Sequence, residues 1–155
     1  MRAELKTQIK NLYDTDYNLW VLETVKQLEN RDLDSLDWDN LIEEVLDLSK
    51  RDKRKIESLL MRLIEHLLIL QYWEGENERN RGHSQREITN FRKQIKRLLA
   101  DSPSLKSHLE MKLDLCYNDG RELASQHSQL TLNTFPEEAI ATLEKFLDDH
   151  WFANT

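Results

Sequence analysis

The 155-residue sequence contains one cysteine, two prolines and three glycines. One cysteine excludes a disulfide framework and a multi-cysteine zinc site. So few glycines and prolines argue against an all-β sandwich built on tight turns. No two glycines stand close enough to form a phosphate-cradling loop. No apolar run approaches the ~18 residues of a membrane-spanning helix. Met1 to Lys10 lacks the apolar core of a secretory signal. A cytoplasmic chain with no membrane association is therefore expected.

Charge is plentiful and segregated. Charged residues make up 33% of the chain, and the formal net charge is −7. Residues 1–49 carry 5 basic and 12 acidic side chains, 50–100 carry 13 and 7, and 101–155 carry 4 and 10. A basic middle between acidic ends can close on itself electrostatically or present a positive face.

The hydrophobic period is helical throughout. A first helix is expected from Asp14 or Asp16, either of which can cap it, with Tyr17, Val21, Thr24, Val25 and Leu28 on one face. Asn30 to Leu36 reads as a loop, and Asp37 caps a second helix. Positions 41, 45, 48, 52, 56, 59, 63, 67 and 70 then keep one 3.6-residue period, apolar everywhere except Asp52. This fits one long helix or two that break at Ser49 to Asp52. From Leu59 to Leu70 the helix is apolar almost all round, which marks a buried central element over about 53–73. Gly75 to Gly82 reads as a loop and Ser84 as the start of the next helix. Ser102-Pro103 stops that helix and starts another, on whose edge Gly120 would allow close packing. His127 to Asn133 reads as a loop, and a last helix opens at Thr134 to Glu138. The expected fold is all-α: one helical domain over 1–155, a bundle of five to seven helices.

Several phrases carry a family resemblance. They are Tyr13-Asp14-x-Asp16-Tyr17-x-x-Trp20; Asp39-Asn40-Leu41-Ile42-Glu43-Glu44; Asp52 through His66-Leu67-Leu68; Ile88-x-x-x-Arg92-x-x-Ile95; and Phe135-Pro136 through Trp151. The chain resembles the mainly cyanobacterial helical family catalogued as domain of unknown function 29. The resemblance covers nearly the whole sequence. It implies an all-α fold and supplies no catalytic residues.

Glu44 and His66 are the candidates for a metal or acid–base site, since two carboxylates and an imidazole can hold a divalent ion in a bundle. The Glu-x-x-His spacing of helical metal sites is missing, and adjacent Glu43 and Glu44 diverge by about 100° on a regular helix. Pairing of a glutamate with a neighbouring helix and a hydrogen-bonded His66 is the simpler reading. Asp52, if the helix is continuous, would need a partner. Lys53 and Arg54, within the run Lys50 to Lys55, and Lys93 and Arg97, with Arg86, Arg79 and Arg81, are the candidates for a nucleic-acid face. The acidic total, and the lack of interleaved aromatics or a DNA-binding motif, disfavour nucleic acid. Cys116 reads as a small core residue rather than a nucleophile activated by His108 or His127.

No constellation has catalytic spacing, and no cofactor is expected. The leading reading is a non-enzymatic helical protein that acts on another protein or on itself. Ile69, Tyr72 and Trp73 would form the contact patch if they stay exposed, and the same patch would serve a homodimer. A nucleic-acid-associated protein using residues 50–97 and an enzyme around Glu44 and His66 are the alternatives.

Overall fold

The computed structural model describes residues 2–75 and 78–153. The chain is all-α: six α-helices, two one-turn 3-10 helices and no strand among the described residues. The helices are α1 (Arg2–Thr15), α2 (Tyr17–Glu29), α3 (Trp38–Tyr72), α4 (Glu78–Asp101), α5 (Leu105–Ser128) and α6 (Leu143–Phe146). Packing divides the chain read as one domain into two compact units, Met1–Arg51 and Asp52–Thr155. No described helix is long and apolar enough to cross a membrane.

In the N-terminal unit, Asp16 breaks the chain between α1 and α2. Its backbone leaves helical geometry (φ −149°, ψ 80°), and its carboxylate accepts the Leu19 amide at 3.1 Å, a helix cap. The cap falls where expected, but α1 before it was not expected. Its apolar positions are sparse, and among its described side chains only Ile9 is deeply buried. α2 ends through Arg31 in the left-handed region (φ 57°), and the Asp32 amide reaches back to the Gln27 carbonyl at 2.9 Å. Asp37 then caps α3, accepting the Asn40 amide at 3.5 Å.

α3 runs 35 residues without interruption, so the break considered at Ser49 to Asp52 does not occur. Nothing in that stretch stops a helix: it contains neither glycine nor proline. Asp52 is exposed, so water solvates its charge and no partner is required.

In the C-terminal unit, α3 is buried on all sides from Leu63 to Leu70, as its all-round apolar sequence requires. Gly120 of α5 makes the close approach expected of it. A Cβ there would sit 2.8 Å from the Met61 carbonyl oxygen and 2.9 Å from Ile64 Cγ2. α4 begins at Glu78, six residues before the expected start at Ser84; residues 76 and 77 of the expected loop lie outside the described residues. α5 starts at Leu105 with Ser104 at the cap position, so Ser102 is not its cap and Pro103 is not its first helical residue as expected.

The expected last helix shrinks to α6, a single turn capped by Thr142. Phe135, preceding Pro136, is held extended at φ −102°, ψ 136°. The Phe135 carbonyl accepts Arg121 Nε at 2.9 Å, and the Pro136 carbonyl accepts the Tyr117 hydroxyl at 2.7 Å. Side chains of α5 therefore occupy the carbonyls that a helix starting there would have used.

The C-terminal segment is fastened by Arg92, which is fully buried. Its Nε donates to the Phe146 carbonyl at 2.7 Å and its Nη2 to the Trp151 carbonyl at 2.6 Å. The guanidinium also lies 5.3 Å from the Phe152 ring centroid.

Candidate functional site

The N-terminal unit holds a polar clasp. Tyr13 lies in the last turn of α1, and Tyr17 and Trp20 lie in the first turn of α2, so the break at Asp16 brings their rings together. Tyr13 packs edge-on to Trp20 at 5.0 Å, and Tyr17 stacks on Trp20 at 5.8 Å. Glu44 of α3 accepts both phenols, Tyr13 at 2.6 Å and Tyr17 at 2.5 Å. The buried Asp37 accepts the Trp20 indole N–H at 3.2 Å.

The electrostatics follow from those bonds. Two donated phenol protons hold the Glu44 carboxyl below its usual range. The same carboxylate, as acceptor, pushes Tyr13 up to about 12 and raises Tyr17. At neutral pH Glu44 is anionic with both oxygens occupied, and both phenols keep their protons. A carboxylate made less basic is a weak candidate for a general base. The arrangement holds helices in place and does not resemble an acid–base pair.

Beside the clasp, α2 and α3 do not close on each other. A groove of about 250 Å³ remains between them, lined by Val25 and Leu28 of α2 and by Leu41, Val45 and Leu48 of α3. Trp20 also lines it, as do the charged Glu44 and Arg51. Val45 and Leu48 are each 58% exposed. Ile42 and Leu46, four residues apart, continue the apolar surface beside Val45 and are at least half exposed.

The sequence-expected contact patch is not where the exposed apolar surface lies. Ile69 is fully buried in the C-terminal core. Tyr72 and Trp73 are half-buried against the same core, Tyr72 edge-on to Phe135 and Trp73 edge-on to His127. The stretch is too apolar all round to leave a face for solvent, so it became core rather than patch.

Glu44 belongs to the N-terminal unit, where Tyr13 and Tyr17 occupy both its oxygens, and His66 belongs to the core of the C-terminal unit. His66 is buried against Phe91, and desolvation lowers its pKa. Its neighbour Glu65 lies 3.2 Å from His127 Nδ1. No three of His, Cys, Asp or Glu among the described residues are grouped to hold a metal. Cys116 is buried, its thiol pushed up to about 12 by desolvation, which suits a core residue and not a nucleophile. His108 lies 3.3 Å from Glu57.

The candidate nucleic-acid residues Lys53, Arg54, Lys93 and Arg97 are exposed, and so is Arg86. Lys96 is engaged internally, 2.7 Å from Asp149. The side chain of Arg79 lies outside the described residues.

Two of the clusters drawn from distant sequence are Tyr13, Tyr17 and Trp20 with Asp37 and Glu44, and Arg92 with Phe146 and Trp151. The first set was missed as a site because its members lie on separate helices; two tyrosines and a tryptophan at helical spacing were the available signal. The chain belongs to the family described as Domain of unknown function DUF29, whose model matches residues 12–152. No curated protein and no solved structure matches it.

Proposed function

We propose that this protein works without catalysis, as a helical protein that associates with protein through the groove face of its N-terminal unit. One observation carries the reading. The apolar stripe of α3 is solvent-exposed at Val45 and Leu48, next to an open apolar groove. Exposed apolar surface of that extent marks an interaction site. The polar groups nearest the groove argue the same way: Glu44 is held anionic by two phenols and is not poised for proton transfer.

The test is a photo-reactive side chain placed at Val45 of the full chain in cells, with Met111 as control. Met111 is 77% exposed, lies on α5 and is not among the residues lining the groove. The expected result is a defined protein adduct from position 45, formed with the same chain or another, and lost when Leu48→Asp is added. No adduct from position 45 beyond that from position 111 would overturn the reading.

A further inference from the structure

We propose that the surface covering this groove face is a second copy of the same chain, with α3 antiparallel to the α3 of its mate about a two-fold axis between Glu44 and Arg51. The inference rests on the association reading above and names its partner.

The first ground is reciprocal charge. Leu41, Val45 and Leu48 form a stripe at four- and three-residue spacing. Glu44 and Arg51 stand seven residues apart, so they share one flank of it. Both line the groove. A two-fold axis midway between them exchanges the two positions, so each Glu44 meets the mate's Arg51 and each Arg51 meets the mate's Glu44. A parallel pairing would instead set Glu44 against Glu44 and Arg51 against Arg51. Glu44 already accepts two phenols, but a carboxylate has further lone pairs for a guanidinium.

The second ground is area. Val25, Leu28, Val45 and Leu48, which line the groove, are each between 36% and 58% exposed. Together with Tyr17 they leave bare on the order of 400 Å² of largely apolar surface, in the range of a monomer's largest patch and about half of the ~800 Å² a standard interface takes from each partner.

Sedimentation equilibrium of the full chain at micromolar concentration tests this, alongside single cysteines at Leu48 and Leu41. The expected results are a reversible dimer, a monomer for Leu48→Asp with unchanged helix content, and dimerisation weakened about tenfold or more by Arg51→Glu. Leu48→Cys, beside the axis, should cross-link to its mate under oxidation, and Leu41→Cys, several turns from its own copy, should not. A concentration-independent monomer overturns the proposal. If position 45 still yields an adduct with a different protein, the association reading survives that failure. A dimer untouched by Leu48→Asp, or one that cross-links as readily through Leu41→Cys, also overturns it.

Discussion

The two halves of α3 carry the same stripe and meet opposite fates. In the second half, Ile56, Leu63 and Leu67 have no exposed surface, whereas in the first half Val45 and Leu48 keep more than half of theirs. Spacing and residue type are alike, so the difference is one of supply. The second half is wrapped by α4, α5 and the C-terminal segment, and its core includes Ile88, Leu109 and Phe146. The N-terminal unit buries few large apolar side chains, chiefly Ile9, Trp20 and Leu36. A unit of 51 residues has little interior to offer, which is the general difficulty of small domains. A helical period therefore fixes which face is apolar and leaves open what covers it.

The sharpest way to test that contrast is one substitution made on each half. Leu63→Ala should destabilise the protein by about 2–5 kcal/mol, because it opens a cavity in a sealed core. Leu48→Ala, under monomeric conditions, should change stability by less than about 0.5 kcal/mol. Urea unfolding measures both, and equal losses would mean that the two halves are equally covered. Close behind, Arg92→Met should cost about 3 kcal/mol, since one buried and one part-buried carbonyl lose a charged donor. Gly120→Ala should cost about 1–3 kcal/mol by forcing α5 away from Met61 and Ile64.

The clasp gives a smaller, pH-dependent signal from the N-terminal unit. Glu44 has a lowered folded pKa, so its contribution is present above the unfolded carboxylate value and is lost as pH falls through the lowered one. Tyr13 has a raised folded pKa, so its contribution is present below the ordinary value of 10 and is lost as pH rises through about 12. Glu44→Gln should flatten the acid limb of stability. It should also bring two tyrosines, followed by ultraviolet absorbance, back toward 10. Tyr117, raised to about 12 mainly by burial, should stay where it is. Tyrosine titration that is unchanged in Glu44→Gln would show that the clasp does not form in solution.

The smallest effect is expected on the exposed basic residues. Lys93→Glu with Arg97→Glu should alter stability by less than about 0.5 kcal/mol. The same variant checks the nucleic-acid alternative. A steep, salt-dependent loss of nucleic-acid retention would favour that basic face over the groove.

Much of the local structure was legible because its causes are local. Asp16 and Asp37 cap where a short acceptor precedes an apolar helical period, and Ser102-Pro103 stops a helix whatever surrounds it. The buried stretch to Leu70 was equally legible, since a helix apolar on every side has no stable exposed orientation. Where the reading went wrong, distant groups decided. The helix expected from Thr134 yields to Tyr117 and Arg121, which take its first carbonyls from across the fold. The patch expected at Ile69, Tyr72 and Trp73 disappears into a core that α4 and α5 complete.

The sequence by itself thus determined an all-α chain, the caps at Asp16 and Asp37 and which face of each long helix is apolar, because propensity, capping and period act within a few residues. The tertiary structure alone decided that Glu44 binds Tyr13 and Tyr17, that Arg92 holds the C-terminal segment, and that one half of α3 is sealed while the other stays bare. Those outcomes depend on groups 27 to 59 residues apart being brought within hydrogen-bonding distance, and on how much apolar surface each unit can supply. Neither quantity is written in any short stretch of sequence.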